Sequence, residues 1–269
     1  MNIIVCVKQV FDPEISPDRI RIDTTGSGVV LPADIPEVIN PYDEHALEAA
    51  LRIKDSMEAK ITVLSLGKNL TRKVVKKSLA MGADELVLAE DDAFGGVDTF
   101  TTAFYLAAAV RKLGGFDLIL CGRQAAPWDS GQVGPGMAEF LSIPCVAVCR
   151  KVEAAGAGLR IEKCLDDGYE VVETALPVLA TISSEVGKAR YPTLRGIRMA
   201  TGREPVIFTR AELETAEAAA GGREEGLRPL PPPSLIHPQL EAECEFIDSD
   251  SPEEAGALLA DRLRAKKIL

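Results

Sequence analysis

The strongest constraint on this chain lies in its first 150 residues, where short, nearly continuous apolar runs alternate with longer segments of helical period. Such runs suit strands buried on both faces, and the segments between them suit covering helices, so the pattern predicts a parallel sheet. Strands are expected at 3–7, 61–66, 85–88, 116–121 and 144–148, and helices at 43–56, 69–81, 97–113 and 134–141. The first helix has a clear start signal: Asn40-Pro41 precedes it, and Asp43 and Glu44 occupy the opening turn, where the helix dipole favours negative charge.

Residues 8–40, with Pro13, Pro17, Pro32 and Pro36, are too long and aperiodic for an ordinary connection, and long loops of this kind are often functional. From residue 149 the period changes. Segments 159–164, 170–174 and 178–182, around the turn Asp166-Asp167-Gly168, predict an antiparallel addition. Residues 211–250 shift to Ala, Glu, Gly and Pro, including Leu230-Pro231-Pro232-Pro233, and cannot bury enough surface to fold alone. This arm leads into Ser251-Pro252-Glu253-Glu254, a capping-box start, followed by Leu258, Leu259 and Leu263 at helical spacing. A helix so short needs a surface to cover its apolar face, either on this chain or on a partner. The expected class is α/β: a doubly wound, mostly parallel sheet with antiparallel additions and a C-terminal arm plus helix. Residues 1–210 would form a nucleotide-binding domain and 211–269 the arm and terminal helix.

Composition narrows the function. Thirty Lys and Arg against 41 Asp and Glu give a net charge of −11, which argues against nucleic acid as the partner. No apolar run reaches the roughly 18 residues of a membrane span, and MNIIVCVKQV lacks the features of a signal peptide, so a soluble, cytoplasmic protein is expected. The six cysteines form no C-x-x-C pair and read as small buried hydrophobes. With only His45 and His237, a histidine zinc site or a Ser-His-Asp triad is disfavoured. Asp91-Asp92 and Asp166-Asp167 read as solvated turns, and His45 as structural or solvent-facing.

The stretch from Phe116 to Met137 reads strand, polar loop, helix. Gly131, Gly134 and Gly136 allow close backbone approach, Pro135 suits a first helical position, and free N–H groups at a helix start receive anions. The usual dinucleotide and P-loop signatures are absent, so a plain connecting turn competes with a phosphate cradle. Cys6-Val7-Lys8 and Ser65-Leu66-Gly67 end the first two strands and could wall an adenine beside it, which favours a nucleotide.

Several blocks taken together resemble the β subunit of electron transfer flavoprotein: Ile4 to Val10, Asn40 to Ala50, Ala80 to Asp84, Gly122 to Gly136 and Asp166 to Pro177. Ala180 departs from the large aliphatic residue usual in that family. The resemblance implies a heterodimer with an α subunit that carries FAD near the interface, and a second nucleotide in this subunit. Cys6 and Leu66 would flank its adenine, while Asp129, Gly131, Gln132, Val133, Gly134 and Gly136 would surround its phosphates. The run Gln132-Val133-Gly134-Pro135 is similar to the electron-bifurcating group, whose β subunit holds FAD and takes hydride from NADH. Val133, where other members carry Thr, removes a hydroxyl donor to a terminal phosphate, so FAD is expected over AMP. Trp128 fits neither pattern; its ring could stack on a ligand or close the loop by packing, and the second is expected because buried aromatic packing is commoner. By the same resemblance Tyr42 would face the α-subunit flavin. Residues 189–197 would form the loop that docks flavin-dependent dehydrogenases of the acyl-CoA type, with Leu194 as anchor and the surrounding arginines steering encounter. The rival is a stand-alone adenine-nucleotide-binding regulator of similar fold.

Overall fold

Each apolar run of the first 150 residues becomes a strand in the computed structural model, which describes residues 1–16, 19–22, 29–30, 32, 34–126, 128–219 and 244–269. In chain order come β1 (Asn2–Cys6), β2 (Gln9–Phe11), β3 (Arg21–Ile22), β4 (Val29–Val30), β5 (Glu37–Ile39), α1 (Pro41–Ser56), β6 (Lys60–Gly67), α2 (Arg72–Val75), α3 (Lys77–Met81) and β7 (Glu85–Glu90). Then follow α4 (Thr99–Leu113), β8 (Leu118–Gly122), α5 (Val133–Leu141), β9 (Cys145–Ala155), β10 (Gly158–Leu165), β11 (Gly168–Thr174) and β12 (Val178–Ile182). The last elements are α6 (Leu194–Thr201), β13 (Val206–Phe208), α7 (Arg210–Ala219) and α8 (Pro252–Ala265).

Among the described residues the main sheet has nine strands in the order β11-β10-β9-β12-β8-β1-β6-β7-β13. From β1 the chain steps outward to β6 and β7, then returns to lay β8 against the opposite flank of β1. The doubly wound expectation therefore holds, and the direction reverses between β1 and β8. One core packs Ala46, Leu47 and Ala50 of α1 with Leu79 of α3 against Val5, Val63 and Leu120. The other packs Ala103, Leu106 and Val110 of α4 with Met137 of α5 against Ile4, Leu64 and Ile119. Fully burying a side chain of this size contributes about 1.5–3 kcal/mol.

Four expectations change. Residues 178–182 do not join the antiparallel addition: β12 lies parallel between β8 and β9. Its five residues are all buried, so it reads as an interior strand, and only β10 and β11 extend the sheet antiparallel. The arm expected from residue 211 begins as helix α7, whose Leu213 is fully buried and whose Glu214 accepts from Tyr105 Oη at 2.9 Å. Leu230 to Pro233 and His237 lie outside the described residues. The long loop 8–40 contains two short antiparallel pairs, β2 with β5 and β3 with β4.

The terminal helix forms as its start signal predicts, with Ser251 Oγ accepting from Glu254 N at 3.2 Å. None of its residues is buried. The cysteines divide: Cys6, Cys121 and Cys149 are buried, Cys164 is half-buried, and Cys145 and Cys244 are exposed, against the expectation of burial for those two. Among the described residues no helix is long and apolar enough to cross a membrane.

Candidate functional site

Ligands of doubly wound sheets sit beyond the carboxyl ends of the strands, at the point where the strand order reverses. Here that crevice lies between the ends of β1 and β8, at Cys6-Val7-Lys8 and Cys121-Gly122-Arg123. On one side stands the start of α1. Asn40, fully buried, donates from Nδ2 to the Gln124 carbonyl at 2.9 Å and accepts at Oδ1 from Ala126 N at 3.3 Å. Asp43 accepts from Lys8 N at 2.8 Å and from Gly122 N at 2.9 Å, so one carboxylate ties both strand ends together. Burial pushes the Asp43 carboxyl up to about 7, against the opposing pull of the Lys8 amide, the Asn40 side chain and the Gly122 amide. Gly122 is obligatory, because a Cβ there would lie 2.4 Å from Asp43 Oδ1.

Arg123 stacks on Tyr42, with its guanidinium carbon 5.0 Å from the ring centroid and one terminal nitrogen 3.4 Å from the hydroxyl. Its Nε is buried without a hydrogen-bond partner among the described residues. A buried donor left open is costly unless something completes it.

On the other side of the crevice lies the segment expected to form a cradle. Asp129 and Gly131 take positive φ, 47° and 64°, and turn the chain into α5. Gln132 stands at the N-cap but caps nothing with its side chain; its Oε1 accepts instead from Thr99 Oγ1 at 2.7 Å. The N–H groups of Val133 and Gly134 donate to no group among the described residues. Gly134 also has a packing reason: an added Cβ would meet Thr181 Cγ2 at 2.6 Å, and at Gly136 one would meet Ala103 Cβ at 3.0 Å. The glycines thus seat α5 on its neighbours while its first amides stay open. The floor is apolar and sulfur-rich: Cys6 Sγ lies 3.9 Å from Met137 Sδ, Cys121 is buried beside it, and half-buried Leu66 packs on the same core. The Cys6 hydrogen bond and burial push the Cys121 thiol up, which keeps the floor neutral. Open amides above a neutral, water-poor floor suit an anionic group with an apolar ring beside it.

The structure brings Cys6, Leu66, Gly131, Gln132, Val133, Gly134 and Gly136 to one corner, with Asp129 in the loop leading to it and Tyr42 across the crevice. Leu194 lies elsewhere, as the first residue of α6, 88% exposed. Trp128 is 57% exposed, so it does not close the loop by packing, and Pro127 lies outside the described residues. Of the arginines in residues 189–197, Arg190 is bound by Glu48 and Asp55 and is not free to steer, while Arg195 remains exposed. His45 is structural, with Nδ1 3.0 Å from the Gly187 carbonyl. Nothing in the sequence places Asn40, Asp43 and Arg123 together at this crevice. An acidic residue in a helix's first turn signals a dipole contact, and nothing local reveals that two other strands donate to it.

Fold and corner together define a doubly wound α/β protein with a crevice at its β1–β8 reversal, the place where ligands of this fold class sit. The chain belongs to the electron transfer flavoprotein family: the model of the electron transfer flavoprotein domain matches residues 27–217. It is 39% identical over 272 residues, all of both chains, to the electron transfer flavoprotein subunit beta of Thermoanaerobacterium thermosaccharolyticum. Over 270 residues, again all of both chains, it is 33% identical to the caffeyl-CoA reductase-Etf complex subunit CarD of Acetobacterium woodii. Over 200 residues, 73% of each chain, it is 40% identical to the acryloyl-CoA reductase electron transfer subunit gamma of Anaerotignum propionicum.

Proposed function

We propose that this chain is the β subunit of a heterodimer with an electron transfer flavoprotein α subunit, and that it holds FAD rather than AMP in the corner at the start of α5. The carrying observation is the pair of open amides at Val133 and Gly134 above the Cys6–Met137 floor. A diphosphate is satisfied by backbone N–H groups alone, whereas a terminal monophosphate gains more from a hydroxyl that Val133 does not supply. A flavin supplies the electron-transfer chemistry; the protein positions it and sets its surroundings. In this reading Asp43 and Asn40 fix the 122–126 loop, Tyr42 and Arg123 border the α-subunit flavin, and the open Arg123 Nε offers it a donor. The names of two relatives carry CoA-ester reductases, which supports a flavin-dependent dehydrogenase or reductase of the acyl-CoA class as the partner docked at Leu194. NADH is the electron donor in the bifurcating form of this proposal.

Purification of the heterodimer and identification of released nucleotides by mass and absorbance test the reading. Two FAD per heterodimer are expected. One FAD plus one AMP rejects the FAD assignment, and ATP alone, bound without any partner, returns the chain to the stand-alone regulator.

The unburied α8 supports a clasp on the α subunit, because Leu258 and Leu259 are exposed on this chain. Truncation before Ser251 is expected to weaken assembly by at least about tenfold, since an exposed amphipathic helix gains its stability from the surface it covers. Undiminished co-purification of the truncated chain with the α subunit rejects the clasp.

A further inference from the structure

One face of α1 carries His45, Glu48, Arg52 and Asp55 at steps of three, four and three residues; His45 and Arg52 engage the chain just ahead of the docking segment, and Glu48 and Asp55 engage Arg190 at its start. His45 Nδ1 lies 3.0 Å from the Gly187 carbonyl, and Arg52 donates to the Val186 carbonyl at 2.6 Å. Glu48, 4% exposed, accepts from Arg190 N at 3.1 Å, from its Nε at 2.9 Å and from its terminal nitrogen at 3.2 Å, and from Arg52 Nε at 3.0 Å. Asp55 completes the clamp, accepting from Arg190 at 2.7 Å. Immediately beyond stand Tyr191, 89% exposed, and Leu194, 88% exposed.

Burial opposes the charge on Glu48, yet the Arg190 and Arg52 contacts hold its carboxyl below the usual carboxylate range. Arg190 likewise keeps Asp55 ionised, and the two carboxylates raise the Arg190 guanidinium further. With Glu48 buried and Arg190 only half-buried, the pair is a poor source of net stability, because desolvation of the carboxylate offsets much of its attraction. Its geometry is strict, however. When one carboxylate receives both the backbone amide and the side-chain fork of the same residue, it fixes where the chain leaves that residue and in which direction.

We infer that Glu48, through Arg190, is a positioning residue for the docking segment: the polar stripe of α1 sets the orientation in which Leu194 meets a partner dehydrogenase. This rests on the docking reading of Leu194 above. Because α1 begins at Asn40 and Asp43, the same helix fixes both the cofactor corner and the docking segment.

The test uses the intact heterodimer and, as probe, an acyl-CoA dehydrogenase reduced with butyryl-CoA, following flavin reduction at rising dehydrogenase concentration. Glu48→Gln keeps the shape and removes the charge; Arg190→Lys keeps the charge and removes the fork. Both are expected to raise the KM for the dehydrogenase by about tenfold with kcat and bound nucleotide unchanged, since a mis-set Leu194 weakens docking without touching the flavin. Amides 188–197 should exchange faster in both variants. Leu194→Ala separates the two ideas. A raised KM in Leu194→Ala beside unchanged values in Glu48→Gln and Arg190→Lys overturns the positioning role alone, whereas an unchanged KM in Leu194→Ala removes the docking reading and the inference with it. Loss of nucleotide or of the heterodimer in both stripe variants also overturns it, since the stripe would then be general cement.

Discussion

Replacing Gly122 by alanine is expected to lower the stability of the chain by about 2–6 kcal/mol and, on the proposed function, to strip the nucleotide in the same step. The added methyl would sit 2.4 Å from Asp43 Oδ1, 2.7 Å from Tyr42 Cβ and 2.8 Å from the Tyr42 carbonyl carbon. Two of these three atoms belong to the first turn of α1 near its backbone and cannot swing aside. Overpacking of a tight core costs about 1–3 kcal/mol, and prising Gly122 N from the buried Asp43 carboxylate adds about 1–3 kcal/mol for the groups left unpaired. The coupled loss follows because the 122–126 loop, pinned by Asn40, leads directly to the turn before α5. Urea unfolding of the chain with nucleotide analysis of the heterodimer reads both effects. A variant within about 1 kcal/mol of the parent, with full nucleotide content, removes the close contact from the account.

The second large effect is a pH dependence carried by Asp43. Its folded carboxyl titrates near 7, above the 3.8 of the free group, because burial outweighs its hydrogen bonds. Between those values the folded chain holds a proton that the unfolded chain has released. Stability therefore falls as the pH rises from about 4 to about 7, by roughly 4 kcal/mol in all, and stays at the lower level above. Lys8 is the charged side chain acting on the carboxyl; loss of hydration holds its ammonium below the usual lysine value, while Asp43 pulls it back up. Asp43→Asn removes the titration but keeps only one acceptor oxygen for the two amides that now bond separate oxygens. At pH 5 the variant should be less stable by about 1–3 kcal/mol, for one amide left unpaired, and by pH 8 the deficit should vanish as the parent ionises. Urea midpoints of both chains at pH 5, 6, 7 and 8 decide the matter: parallel curves exclude Asp43 as the titrating group.

Much of the fold is written in local pattern. Continuous apolarity marked β1, β6, β7 and β8 because a strand covered on both faces has no polar side to alternate with. Asn40-Pro41 and Ser251-Pro252 mark two helix starts because a proline at the first helical position sets its own backbone angle locally, and at Ser251 the side chain also caps within four residues. The turn from Gly131 into the start of α5 was legible for the same reason, since a loop and the first turn of its helix are one local object.

Other features depend on which segments meet. Residues 178–182 look alike as an edge or a central strand; only their insertion between β8 and β9 makes them interior. Asp43 looks like a dipole contact until Lys8 and Gly122, 35 positions before it and 79 after, donate to it. Glu48 and Arg190 stand 142 residues apart, and neither has a neighbour in sequence that announces the pair. The sequence by itself determined the elements, their starts and the anion-ready helix end, because those follow from backbone geometry and side-chain period over a few residues. Only the tertiary structure decided which carboxylates are buried, which arginines are spoken for and where β12 lies, because desolvation and ion pairing are set by surroundings that distant parts of the chain supply.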